Sequence, residues 1–178
     1  RGDGLPAAGA AAAAVVAGAE SSGWCADDAA LDHSGDRTRH SAHPDHYARR
    51  ELYRSEKYGY SVICMTWGPG QGTPIHDHSG MWCVEGVWGG SIDVQQYEMT
   101  KADDSRYGFE PRNSYEAGVG SAGCLIPPYE YHSISNACEK TTAVSLHIYG
   151  GEMNCCNVFE RQKDGTYVRR EKPLPYDN

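Results

Sequence analysis

The stretch "GQGTPIHDHSGMWCVEG", residues 70 to 86, carries two histidines one residue apart and a cysteine five positions after the second. Successive side chains of an extended strand point to opposite faces, so His76 and His78 share one face and Asp77 takes the other. At that spacing two imidazoles can chelate a single metal ion; the plainer reading is a pair of surface histidines. The preceding "GPGQGTP" reads as a turn, which sets the pair at a strand entrance, where the mouth of a cavity can form. Cys83 follows between Trp82 and Val84, either as a small buried apolar residue or as a reactive one. Strict alternation from His78 would bring Trp82 to the histidine face, so Cys83 joins it only if Ser79-Gly80 bends or bulges the chain. Farther along, "VSLHIY" places Ser145, His147 and Tyr149 on one face and Val144, Leu146 and Ile148 on the other. A polar row of that kind, turned inward, lines a cavity more naturally than a core.

The elements that must position these residues read as strands. "YSVICMTW" (60–67), "MWCVEGVW" (81–88), "SIDVQQYEM" (91–99), "GCLIPP" (123–128) and "TTAVSLHIYG" (141–150) are short and rich in β-branched or aromatic residues. Each is bounded by Gly, Pro, Asn or Ser. The spacing predicts an all-β, antiparallel sandwich or barrel. Asp164-Gly165, between Val158-Phe159 and Tyr167-Val168, predicts a hairpin closing a sheet edge. Residues 1–46 are rich in Ala, Gly, Asp and His and poor in large apolar side chains, which predicts an irregular or helical arm ahead of a domain over 47–178. Within it "AAGAAAAAVVAGA" (7–19) can mimic a secretory leader, but only Arg1 supplies positive charge before it and alanine is weakly apolar, so a helix-prone or disordered leader is the expectation. His33, His40, His43 and His46 share no ligand pattern and predict no second metal site. Trp82 and Trp88 are expected to be wall and packing residues.

Composition narrows the function classes. The 178 residues fit one domain with a real core. Against 16 basic residues stand 24 acidic ones, a net charge of −8, which argues against nucleic acid or an anionic membrane surface as partner. No stretch approaches the roughly 20 strongly apolar residues that span a bilayer as a helix. Seven cysteines form an odd set without paired spacing, and adjacent Cys155 and Cys156 are awkward for a structural bridge. A reducing, cytoplasmic setting and a monomer are the expectation.

Taken together, G-x5-H-x-H from Gly70 to His78, a glycine at Gly90, and P-x4-H-x3-N from Pro127 to Asn136 resemble the two halves of the cupin signature. That resemblance implies a small antiparallel β-barrel with a metal on His76, His78 and His132. The usual fourth cupin ligand, a glutamate shortly after H-x-H, is replaced at the matching position by Cys83. A cupin with that replacement resembles the cysteine dioxygenase family, the thiol dioxygenases. The resemblance runs through "WGPGQGTPIHDH", Cys83 and "SLHIYG", most of residues 47 to 160. It implies Fe(II) on three neutral histidines, a small thiol and O2 as partners, and Arg49 with Tyr47, in a Tyr-x-Arg segment, as substrate-binding residues. Arg50 is an adjacent rival for the carboxylate. The family's Ser-x-His-x-Tyr row falls on Ser145, His147 and Tyr149, the face that alternation had already isolated, with His147 expected to hold the Tyr149 hydroxyl.

The chemistry accounts for these residue types. Three neutral imidazoles leave Fe(II) its charge and open positions for a thiolate and dioxygen. An arginine fork suits a carboxylate. In the animal enzymes of the family the cysteine after H-x-H is joined through sulfur to the active-site tyrosine, which here matches Cys83 and Tyr149. The resemblance implies L-cysteine oxidised to cysteine sulfinate. Gly150-Gly151 and the tryptophan after H-x-H look more like bacterial 3-mercaptopropionate dioxygenases, which keeps that thiol open. A non-catalytic ligand-binding cupin or a metal-dependent isomerase is the reading from another class.

Overall fold

The computed structural model describes residues 41–103 and 105–177. The expected arm therefore lies, up to residue 40, outside the described residues, and His33 and His40 with it. Eleven strands follow, with no helix among the described residues: β1 (Ala48–Ser55), β2 (Tyr60–Trp67), β3 (Ile75–His76), β4 (Cys83–Gly89), β5 (Ser91–Ala102), β6 (Tyr107–Gly118), β7 (Ala122–Leu125), β8 (His132–Asn136), β9 (Ala143–Tyr149), β10 (Cys155–Arg161) and β11 (Tyr167–Pro173). One antiparallel sheet has the order β1-β2-β9-β4-β7; the other runs β10-β11-β6-β5-β8-β3 and closes on itself because β3 also pairs with β10. This is the antiparallel barrel of the cupin type.

Strands β2, β4, β5, β7 and β9 fall where β-branched and aromatic runs predict them. The hairpin at Asp164-Gly165 joins β10 to β11, with the Asp164 carboxylate accepting from the Thr166 amide and hydroxyl. Strand β6, "YGFEPRNSYEAG", has no apolar alternation to betray it and is built by its long pairing with β5. The core between the sheets is formed by Ile63, Met65, Trp67, Ile92, Val94, Leu125, Ile134 and Val158, among others. Trp88, expected to pack, is 61% exposed, because β4 turns it outward.

The barrel brings the chemistry-bearing strands together. β9 lies between β2 and β4, so Ser145 faces Met65, His147 faces both Ile63 and Glu85, and Tyr149 stands opposite Cys83. In the second sheet His76 of β3 is directly opposite His132 of β8. Asn136, the last residue of the P-x4-H-x3-N pattern, is structural. Its amide donates to the carbonyls of Trp67 and Thr141, and its oxygen accepts from the Cys138 amide. Cys83, Cys124, Cys155 and Cys156 are free thiols, so the neighbouring pair forms no bridge.

Candidate active site

His76, His78 and His132 converge, with donor atoms within 4.8 Å of one another. Their ring centroids are 4.5 to 5.2 Å apart. A tight turn after the H-x-H pair makes this possible: Ser79 adopts φ 53°, Gly80 φ 76°, and the Met81 amide donates to the His78 carbonyl. The side chain of Asp77 fastens that turn to β10, accepting from the amides of Ser79 and Asn157 and from the Asn157 side chain. The bend needed to bring Cys83 to the site is this turn, and the cysteine begins β4 fully buried.

Each outer nitrogen of the H-x-H pair has a holder. His76 Nδ1 lies 3.1 Å from the Pro74 carbonyl, to which it donates, leaving Nε2 to face its neighbours. Glu130 Oε2 accepts from both the His78 amide (2.8 Å) and His78 Nδ1 (3.1 Å), the carboxylate–histidine arrangement that orients a metal ligand. His132 is fully buried, yet neither of its ring nitrogens has a hydrogen-bond partner. Buried polar atoms are rarely left unbonded, and an imidazole directed at two others has the donor set of a metal site. Burial, reinforced by the charge of the neighbouring imidazoles, lowers His76 to about 3 and His132 well below the usual histidine value. Both rings are therefore neutral at pH 7, with lone pairs available to a metal.

A second group, Cys83, Glu85 and His147, adjoins the first. Cys83 and Tyr149 are cross-strand partners. Burial pushes the Cys83 thiol well above its ordinary value, with Glu85 adding to the effect; burial and then Cys83 push the Tyr149 phenol up likewise. Both groups are neutral at pH 7. Trp67 Nε1 donates to Ser145 Oγ (2.9 Å), which lies 2.8 Å from His147 Nε2. Indole is only a donor, so a Ser145 hydroxyl that passes its own proton toward His147 Nε2 satisfies all three groups. The His147 proton then resides on Nδ1, 3.6 Å from Glu85 Oε2. The His147 and Tyr149 rings stack at 6.0 Å, so the histidine meets the tyrosine by its face while Ser145 engages its Nε2.

Tyr47, just ahead of β1, and Arg49, on it, reach the same place. They line a cleft of ≈ 410 Å³ with His76, His147, Tyr149 and Lys172. Tyr47 stacks on Trp67 with centroids 4.6 Å apart. Arg49 is 3% exposed, whereas Arg50 pairs with Cys64 on the other side of the strand, so β1 gives Arg49 to the cleft. The C-terminal tail covers the Arg49 guanidinium: Nη1 donates to the Leu174 carbonyl (2.5 Å), Nη2 to the Met153 carbonyl (3.1 Å), and the Tyr176 ring lies 5.2 Å away.

Three residues of the site escape a reading by sequence. Glu130 is 52 residues from the His78 it holds, and only a carboxylate two positions before a ligand histidine hints at it. Lys172 lies in a charged run of β11 that reads as solvated surface. Glu85 shares the inward face of β4 with Cys83; its Oε2 is buried without a partner, 4.0 Å from His132 Nε2, and burial raises its pKa to about 7. Trp82, expected at the wall, lies over Gly150, where a β-carbon would come within 2.3 Å of the indole nitrogen.

The profile of the family described as cysteine dioxygenase type I matches residues 34–162. Cysteine dioxygenase type 1 of Danio rerio is 24% identical over 60% of this chain and 51% of its own length. The Rattus norvegicus protein of the same name is 25% identical over 65% of this chain and 60% of its own. The chain thus spans about half to three fifths of these relatives. Among solved structures, a recombinant oxalate oxidase in complex with glycolate aligns at TM-score 0.47 with 21% identity, over 61% of this chain and 53% of its own. A Thermus thermophilus protein, TT1209, aligns at TM-score 0.46 with 18% identity, over 61% of this chain and 87% of its own. With the family profile covering well over half of the sequence, from ahead of Tyr47 to beyond Tyr149, the chain belongs to the cysteine dioxygenase type I family.

Proposed function

We propose that the chain is a non-haem iron thiol dioxygenase that oxidises L-cysteine to cysteine sulfinate with O2. The observation that carries this reading is the convergence of three imidazoles, two of them buried and one of these with both nitrogens unbonded, beside a cleft lined by Arg49 and Tyr149. His76, His78 and His132 would hold Fe(II). Iron bound there supplies open positions for thiolate and dioxygen and the redox chemistry by which both oxygen atoms are added to sulfur. Glu130 and the Pro74 carbonyl fix the His78 and His76 rings, so the ligand atoms are set before the metal arrives. Arg49, buried and pinned by the tail, contributes a fixed positive charge for the substrate carboxylate, and Tyr47 forms the wall beside it. Tyr149, neutral at pH 7, presents a hydroxyl that can donate into the cleft, and the Trp67–Ser145–His147 chain holds the ring on which it stacks.

The opposed Cys83 and Tyr149 support the thioether of the animal enzymes. Its formation joins Cys83 Sγ to the ring carbon ortho to the hydroxyl and removes one hydrogen from each partner, with dioxygen as the oxidant. Free thiols at Cys83, Cys124, Cys155 and Cys156 favour a reducing, cytoplasmic setting. One observation favours a second substrate, 3-mercaptopropionate: the cleft lining has two cations and no carboxylate to receive an ammonium group. Turnover under ¹⁸O2 tests the reaction. Sulfinate carrying two labelled oxygens is expected from L-cysteine. Single labelling, or no sulfinate from either thiol, would reject the dioxygenase reading in favour of a binding cupin or isomerase.

A further inference from the structure

Arg49 meets a carboxylate with only part of its hydrogen-bonding capacity. Of the five N–H groups on a guanidinium, three already donate to carbonyls of the tail and of Met153. Nη1 serves Leu174 at 2.5 Å and Pro175 at 3.5 Å, and Nη2 serves Met153 at 3.1 Å. These bonds fix the guanidinium beneath the tail and limit how far it can turn toward a ligand. A second cation stands in the same cleft with the opposite character. Lys172, on β11 opposite Cys156, is half-buried; its Nζ lies 3.5 Å from the Tyr47 hydroxyl and 5.2 Å from the centre of that ring. No Asp or Glu of the described residues pairs with it. It lines the cleft together with His76 and Cys156.

We propose that Lys172 binds the carboxylate of the substrate, sharing with Arg49 the acid group of a small thiol acid. This deepens the thiol dioxygenase reading and rests on it for the identity of the ligand. The two cations divide the work by their chemistry. Arg49 is a rigid charge locked into the backbone of the tail. Lys172 has a flexible stem and a compact ammonium with three donors, which can leave the face of Tyr47 for an anion. Tyr47, touching both Trp67 and Lys172, sets where that ammonium rests. The arrangement selects for the acid group and is indifferent to an amine, so it serves L-cysteine and 3-mercaptopropionate alike.

The test compares 3-mercaptopropionate with 1-propanethiol, its uncharged counterpart, by anaerobic calorimetric titration of the Fe(II)-loaded full chain. Wild type should prefer the acid. Lys172→Met, which keeps the length of the side chain and removes its charge, should lose about tenfold of that preference, as expected for one charge-assisted hydrogen bond. It should leave propanethiol affinity unchanged, and Lys172→Arg should restore most of the loss. An unchanged preference in Lys172→Met would overturn the proposal and make Lys172 a cation packed on Tyr47. An equal loss for both thiols would overturn it as well, because it would report general damage to the cleft. Oxygen uptake by the same wild-type sample separates the two ideas: binding of the acid without turnover rejects the dioxygenase reading and leaves the Lys172 comparison to decide this one.

Discussion

Glu130→Ala removes the acceptor that orients His78. The wild-type oxygen accepts two hydrogen bonds from one buried residue, at 2.8 Å from the amide and 3.1 Å from Nδ1, and Glu130 is itself buried. Bonds to a charged acceptor contribute about 1.5–3 kcal/mol each, and a buried amide left without a partner costs about 1–3 kcal/mol. Relief of the buried carboxylate's own desolvation offsets part of this, which leaves a net destabilisation of about 3 kcal/mol. For a chain of this size that lowers Tm by about 6–12 °C. Losing the holder of a ligand ring should also weaken metal binding by about 10–100-fold. Glu130→Gln keeps an oxygen at the same place and should recover most of the stability while retaining part of the affinity loss. Thermal unfolding of the metal-free variants and competitive iron titration against a chelator read the two effects separately. Iron affinity of Glu130→Ala within about threefold of wild type, with Tm within about 2 °C, would refute the reasoning and make the Glu130–His78 contact incidental.

Three further outcomes are expected. In metal-free protein Glu85, raised to about 7 mainly by burial, binds its proton more tightly when folded than when unfolded; its contribution to stability therefore falls as pH rises from about 4.5 past 7. Gln does not titrate, so Glu85→Gln should gain on wild type across that window, by up to about 3 kcal/mol, and parallel denaturant midpoints at both ends of it would contradict a buried carboxylate. Gly150→Ala places a β-carbon 2.3 Å from the Trp82 indole nitrogen, so it should cost about 1–3 kcal/mol and change tryptophan fluorescence; an unchanged melting curve would deny that packing. After incubation with iron, thiol and oxygen, intact-mass spectrometry should show a species short of two hydrogens that is absent in Cys83→Ser, and its absence from wild type would leave Cys83 a packing residue.

Much of this site is legible because strand alternation is a short-range rule. Ser145, His147 and Tyr149 could be assigned to one face from "VSLHIY" alone, and all three are buried in β9 as that pattern requires. The H-x-H pair is equally local. What alternation cannot deliver is anything beyond an irregular turn. Ser79 and Gly80 reset the phase, so the inward face of β4 follows from their positive φ angles and not from counting onward from His78. That reset brings Cys83 to Tyr149 and, two residues later, Glu85 to His147 and His132. Glu130 and Lys172 were hidden for another reason. Both are charged residues in polar stretches, and their roles depend on partners 52 and 125 positions away. Strand β6 escaped because its stability comes from pairing with β5 and not from an apolar face of its own.

The central claim is that His76, His78 and His132 hold one iron through imidazole alone. Anomalous diffraction at the iron edge from crystals of the iron-loaded chain tests it most directly. A single peak bonded to one nitrogen of each of these three histidines, with Glu85 and Cys83 outside bonding distance, is the expected result. A peak elsewhere, or one bonded to the Glu85 carboxylate or the Cys83 sulfur, would contradict it.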